Sequence, residues 1–269
     1  MASLERRLST AVHTVHKSLT GPDGPGLRQS LADTAAQVAA EGLGLELRLY
    51  EPDAGEDRPP LRPETVAALR DIGRAAGLPV TAHTEFYNWE PDRLLCDLHM
   101  AADLGATVLM VHPSRFGMET DGGPDWPAVR DLCARARDLG VTFGLENVPS
   151  GLPTLRQALD RVGRDPAATG LGICIDTGHA NLSYTQDGVP PVRFVEELRE
   201  TIVEVHVHDN DGEADQHLPP GDGTLDWPPL LAALRTLPAE TVFCLELGGS
   251  ADPWSAVREA RRFLTDGLG

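Results

Sequence analysis

Six short apolar runs in this chain each end in a side chain that can bind a metal ion. Residues 80–83 end in His83, 108–112 in His112, 143–146 in Glu146, 173–176 in Asp176, 203–206 in His206 and 243–246 in Glu246. Each run has strand length, so the ligand-type residue sits where a buried strand would emerge. In a barrel of alternating strands and helices that end of the strands carries the chemistry, because catalytic groups come from the carboxyl ends of several strands.

Amphipathic stretches separate the runs, and such alternation argues for a parallel sheet with crossover helices. Residues 27–42 read as a helix leading into a strand over 43–50, and 63–77 as a helix before the His83 strand. Helices are expected over 91–105, with Gly105 as the stop, and over 127–140, 155–163, 192–199 and 228–237, each before the next strand. A closing helix begins at Asp252-Pro253, with Asp as the cap and Pro at the first helical position. A first strand around 8–15, poorly alternating, completes eight units. The expected fold is α/β, a single (β/α)8 barrel over residues 1–269 with no second domain, a size at which one barrel forms one domain.

Charge narrows the partners. The chain has 41 acidic and 23 basic residues, a formal net charge of −18. A surface of that sign repels phosphate backbones, whose binding relies on Lys and Arg, so no nucleic-acid partner is expected. The charged start lacks the apolar stretch of a secretory signal and no run reaches membrane-span length, so a cytoplasmic protein with no membrane partner is expected. Cys96, Cys133, Cys174 and Cys244 form no close pair and read as reduced core residues.

Side chains alternate across a strand, so Thr142, Gly144 and Glu146 share a face, as do Gly172, Cys174 and Asp176, and Val242, Cys244 and Glu246. Small residues behind each acid suit a crowded barrel interior with the carboxylate in the top layer. Asp176-Thr-Gly-His179 brings a second ligand type round a turn, and His206 and His208 point to the same side of their strand. Asp215 and His217 are again two apart, in a loop stiffened by Gly and Pro. One acid at a strand end is ordinarily a solvated loop residue and one His a hydrogen-bonded structural one. Several converging on one rim repel unless a cation offsets them.

Glu146-Asn, Asp176-Thr-Gly-His179-Ala, His206-Val-His208-Asp209-Asn-Asp-Gly, Asp215-Gln-His217-Leu-Pro-Pro-Gly and Leu-Glu246-Leu stand in the order found in the xylose-isomerase-like TIM-barrel superfamily, which the chain resembles from about residue 43 to the last helix. That superfamily includes sugar phosphate isomerases and epimerases, dehydratases and type-IV apurinic endonucleases. In the epimerase branch the resemblance places metal ligands at Glu146, Asp176, His206 and Glu246, with His179 beside the substrate. In the endonuclease branch it adds His83, His112, His179, Asp215 and His217, and the metal count stays open at one to three.

From these residues the favoured expectation is a metal-dependent isomerase or epimerase of a small sugar, sugar phosphate or cyclitol, acting through a metal-stabilised enediolate. Glu146 and Glu246 would move protons, and His179 would orient a hydroxyl. Oxygen-rich ligation suits Mn, Co or Mg, and added histidines favour Zn. A dehydratase or lyase uses the same groups. An endonuclease-IV-like phosphodiesterase is disfavoured by the charge. Substrate contacts are expected from Glu46, Arg48, His208 and the loop residue Arg115, although Glu46 and Arg48 equally fit a buried ion pair. Gly248-Gly249-Ser250 could offer N–H groups to a phosphate, with Asp252 opposing it, and four tryptophans could wall the pocket. A homo-oligomer is left open.

Overall fold

The apolar runs pair side by side, all parallel and in chain order, until the eighth meets the first and the sheet closes. The computed structural model describes residues 4–21, 26–52, 58–85, 88–149, 151–248 and 250–269. Strands β1 Leu8–Ala11, β2 Gly44–Arg48, β3 Val80–His83, β4 Val108–Val111, β5 Thr142–Glu146, β6 Leu171–Asp176, β7 Ile202–Val207 and β8 Val242–Leu245 form the barrel. Around it lie α1 Val12–Thr20, α2 Leu31–Ala40, α3 Pro63–Ala76, α4 Pro91–Leu104, α5 Trp126–Asp138, α6 Leu152–Val162, α7 Pro166–Thr169, α8 Thr177–Asp187, α9 Pro191–Leu198, α10 Trp227–Leu234 and α11 Pro253–Leu268. The (β/α)8 barrel expected from the alternation is therefore the fold. Among the described residues no helix is long and apolar enough to cross a membrane.

Local chemistry sets the helix ends. Ser30 and Asp33 form a reciprocal capping box, so α2 starts at Leu31 rather than at residue 27. Gly77 and Gly105 adopt left-handed φ of 62° and 80° and stop α3 and α4, a conformation glycine takes without steric cost. Asp252 caps α11 through Ser255 N, with Pro253 in the first turn, as the sequence indicates.

Two expectations need correction. The first strand is only four residues long, and residues 12–20 are helix α1, which buries Val12, Val15 and Leu19. The stretch after Asp176, read as a turn, is the first turn of α8. Its buried positions include Thr177, Gly178, Asn181 and Ser183, so it shows no clean apolar stripe.

The main apolar core lies between sheet and helices. Phe116, Phe143, Phe194 and Phe243 are fully buried there, and Trp89, Trp126 and Trp254 pack against it. Inside the barrel the apolar cluster is small, built from Val108, Met110 and Cys174 with Val203 packed on it. The rest of the interior carries polar groups, among them Ser9, Glu46, Thr81 and Glu204, all buried. Cys133, Cys174 and Cys244 are buried as expected, but Cys96 is exposed on α4. Buried ionisable groups are held only where partners or a cation offset their desolvation, and here they lead upward to one constellation.

Candidate metal centre

Register brings the ligands together. Asp176 pairs with His206 across β6 and β7, His206 with Cys244 across β7 and β8, and Glu146 with Cys174 across β5 and β6. All eight strands are parallel, so their carboxyl ends share one rim, and the nine ligand-type residues assemble there. The ligand atoms of His83, Glu146 and His206 lie within 4.8 Å of one another, as do those of Glu146, Asp176 and His179, of Asp176, His206 and Glu246, and of His208, Asp215 and His217.

Glu146 is the hinge of the arrangement. Its Oε2 lies 3.3 Å from His83 Nε2 and 3.1 Å from His112 Nε2, while its Oε1 lies 3.3 Å from His179 Nδ1 and 3.6 Å from His206 Nδ1. One carboxylate thus reaches imidazoles on both sides, the disposition of a bridging ligand. His206 Nδ1 also lies 3.1 Å from Glu246 Oε2 and 3.8 Å from Asp176 Oδ2, completing the four-residue set that the resemblance implies. Asp215 Oδ2 lies 3.1 Å from His217 Nε2 and 3.5 Å from His179 Nε2, forming the outer part.

The histidines are aimed by their second nitrogens. His83 Nδ1 meets Thr84 O at 2.7 Å, His179 Nδ1 meets Asn147 O at 2.8 Å and His217 Nδ1 meets Glu246 O at 2.8 Å. A carbonyl oxygen only accepts, so Nδ1 donates to it and Nε2 is left facing the acids, the second-sphere pattern of metal-binding histidine. Asp176 is fixed twice: Oδ1 caps α8 through His179 N at 2.7 Å, and Oδ2 meets His208 Nε2 at 2.9 Å. Asn147 ties the two strands by accepting from Asp176 N and donating to Asp176 O.

Three expected substrate contacts are relocated. Arg115 is fully buried and paired with Asp97 at 2.7 Å, with a further bond to Asn88 O, so it anchors the loop after β4 to α4. Glu46 is buried inside the barrel against His206 Nε2, beneath the rim. His208 is fully buried, bonded to Asp176 and stacked on His217 with ring centroids 4.0 Å apart, so it supports ligands instead of facing solvent. Arg48 keeps its place at the opening, 21% exposed, bound to Glu246 at 2.7 Å and to Glu85, which also holds Arg58. Among the described residues no direct Glu46–Arg48 ion pair forms; the acid and the base each take another partner. Gly249 lies outside the described residues, and Trp227 packs in the core with its Nε1 donating to Asp209.

Asp209 stands in the sequence motif after His208, but the sequence assigns it no role. Its Oδ1 accepts from Asn210 N and Leu225 N, its Oδ2 from Gly221 N and Trp227 Nε1, and its main chain pairs with Leu218 in both directions. This carboxylate organises the loop that presents Asp215 and His217. Asp209→Ala is expected to cost about 3 kcal/mol or more, since several buried donors lose their acceptor at roughly 1–3 kcal/mol each. Denaturant melts measure it, and a stability unchanged from the parent would contradict the role.

Electrostatics follow from the crowding. Burial opposes ionisation of Glu146, yet His112, His179 and His206 outweigh it and hold its carboxyl well below the usual carboxylate range. Burial likewise opposes the charge of Glu246, and His206 with Arg48 depress its pKa well below the ordinary value. On the other side, burial disfavours charged imidazoles, but Asp176, Asp215 and Glu146 raise His179 well above its ordinary value, and Asp215 with Glu246 lift His217 to about 9. Without an ion the cluster is held by protons on imidazoles. Glu146 Oε2 and His206 Nδ1 remain buried with no hydrogen-bond partner. Such atoms are costly to leave unsatisfied, and the donor set of carboxylate oxygens and imidazole nitrogens fits divalent cations, Zn among them.

Comparison with known proteins agrees with this geometry. Residues 34–267 match the family model of the xylose isomerase-like TIM barrel, and the chain belongs to that family. An uncharacterized protein of Methanocaldococcus jannaschii is 30% identical over 159 residues, 54% of this chain and 52% of that protein, so the match spans about half the relative's length. A probable endonuclease 4 of Mycobacterium leprae is 26% identical over 258 residues, 87% of this chain and 97% of that protein. Among solved structures, a D-tagatose 3-epimerase-like protein superposes with a TM-score of 0.70 at 19% identity, covering 98% of this chain and all of that one, a likeness of fold.

Proposed function

We propose that this chain is a multinuclear metal-dependent phosphoester hydrolase acting on a small substrate. The observation that carries the reading is the position of Glu146, whose two oxygens face His83 and His112 on one side and His179 and His206 on the other. A proton-transfer enzyme with one ion needs Glu146, Asp176, His206 and Glu246 but has no use for His83, His112, Asp215 and His217 as ligands. The similarity to probable endonuclease 4 over nearly that protein's full length supports the same reading. The net charge of −18 favours a compact substrate over a duplex.

His83, His112 and Glu146 would hold one ion, Glu146, Asp176, His206 and Glu246 a second, and His179, Asp215 and His217 a third. Bound divalent ions supply an acidified water and charge stabilisation at the phosphoryl oxygens. The chain's residues do the rest. Arg48 keeps Glu246 Oε1 ionised and in place, and the backbone carbonyls of Thr84, Asn147 and Glu246 keep Nδ1 of His83, His179 and His217 protonated. His112, His179, Asp215 and His217 form the more open part of the site, with 18%, 14%, 39% and 25% side-chain exposure. Substrate therefore meets this outer part first.

Isomerisation or epimerisation of a small polyol is the second reading, favoured by the compact set around His206 Nδ1, in which Glu146 and Glu246 approach from strand ends on either side. The test is a paired assay on zinc- and manganese-loaded protein. Hydrolysis of p-nitrophenyl phosphate and bis-p-nitrophenyl phosphate is expected, without cleavage of abasic duplex DNA. Solvent deuterium entering ketoses or cyclitols with no phosphate released would instead establish the second reading.

A further inference from the structure

His206 is oriented opposite to its neighbours. His83, His179 and His217 face the acids with Nε2 and spend Nδ1 on a main-chain carbonyl. His206 faces Glu246, Glu146 and Asp176 with Nδ1 and turns Nε2 toward the barrel interior. The cause is its place in the chain. His83 ends its strand, His179 lies in the first turn of α8 and His217 lies in a loop, where carbonyls are free to accept. His206 lies within β7, where the carbonyls serve the ladders to β6 and β8. Only a side chain from the barrel interior can meet its inner nitrogen.

Glu46 on β2 is that side chain. Its Oε2 lies 2.8 Å from His206 Nε2, and both side chains have no exposure. The contact is close but not yet straight, and both Glu46 oxygens and both His206 nitrogens lack an aligned hydrogen bond. Beneath it, the ligand atoms of Glu46, Glu204 and Cys244 lie within 4.8 Å of one another, and Thr81 Oγ1 donates to Glu204 Oε1 at 3.0 Å. A buried carboxylate is expensive unless something draws it in. Here it meets an imidazole whose inner nitrogen takes no main-chain acceptor among the described residues.

We infer that Glu46 is a positioning residue for the metal centre: it fixes His206 in the tautomer that carries hydrogen on Nε2 and turns the Nδ1 lone pair toward Glu146, Asp176 and Glu246. The inference rests on the metal-centre reading above. A carboxylate behind a ligand histidine sets the tautomer and raises its basicity, and losing such a partner typically weakens metal binding about 10–100-fold. Glu46 thus does for His206, with a charge, what Thr84 O does for His83.

The experiment compares the full-length parent with Glu46→Gln and Glu46→Leu. Zinc affinity is measured by competition with a chromophoric chelator, and the imidazole nitrogens are read by long-range nitrogen-15 correlation spectra of the zinc-loaded proteins. The parent should show His206 protonated on Nε2. Glu46→Leu should bind the ion of the His206 set about 10–100-fold more weakly and lose that single tautomer. Glu46→Gln, which keeps an acceptor without the charge, should keep the tautomer and recover part of the affinity. If both variants bind zinc as tightly as the parent with the same tautomer, the inference is overturned. If the parent itself binds no zinc, the metal-centre reading fails instead. Glu46→Gln also covers the case in which Glu46→Leu does not fold.

Discussion

Glu146→Gln is expected to leave the barrel assembled, to lower the number of divalent ions bound per chain, and to reduce phosphoester turnover by a factor on the order of 100 or more. The amide keeps the shape of the carboxylate but not its charge or its two equivalent oxygens. Both groups that depend on Glu146 are affected, the pair His83 and His112 on Oε2 and the pair His179 and His206 on Oε1. Losing a ligand outright should exceed the roughly 10–100-fold seen when a supporting group is removed. Ion-free stability should also fall near neutral pH, by about 3 kcal/mol, because removing one side of a buried ion pair strands the other. Metal analysis and denaturant melts of the ion-free variant are the measurements. Full occupancy with parental turnover would mean that Glu146 is not shared between sites.

The second large effect is on pH. In ion-free protein the imidazoles of His217, His112 and His179 are held above their ordinary value, His217 at about 9, by neighbouring carboxylates that outweigh burial. A group whose folded pKa is raised stabilises fully below its unfolded pKa, about 6.5 for His, and that contribution disappears as pH rises through the folded value. Ion-free stability should therefore decline between about pH 6.5 and 9. At the acid end Glu146, Asp176 and Glu246 are held below their ordinary values, so their contribution is present above the ordinary carboxylate range and fades as pH falls through the depressed values. Ions require neutral imidazoles, so their binding releases protons and strengthens over the same interval in which the ion-free protein weakens. Denaturant melts across pH, with chelator and with zinc, should diverge as pH rises. A chelated protein that gains stability from pH 6.5 to 9 would contradict the assignment of these protons.

Much of this was legible in the chain because strands buried on both faces leave a simple signature. A run such as residues 173–176 is apolar until the residue that emerges, so Glu146, Asp176, His206 and Glu246 announce themselves by position. Gly77 and Gly105 marked helix ends for an equally local reason. What stayed hidden depends on contacts between strands far apart in sequence. Glu46 and Arg48 share a face of β2, yet the partner of one is His206 and the partners of the other are Glu85 and Glu246. Only the register around the closed barrel decides that. Arg115 reads as an exposed loop arginine until Asp97, eighteen residues back by numbering on α4, is brought to 2.7 Å. Helix α8 escaped because its buried face carries Thr, Asn and Ser, which hides the apolar period. The role of Asp209, present in the motif after His208, stayed hidden because its four acceptor bonds go mainly to main-chain N–H groups, which have no letter in the sequence.

The central claim is that acids and imidazoles from six strand ends, the first turn of α8 and one loop converge on divalent ions. The direct measurement is a zinc-edge anomalous difference map from crystals of protein equilibrated with zinc, paired with elemental analysis of the same sample. The account predicts peaks bounded by Glu146, Asp176, His206 and Glu246, and by His83 and His112 with Glu146. A map with no peak at Glu146, together with less than one ion per chain, would contradict it.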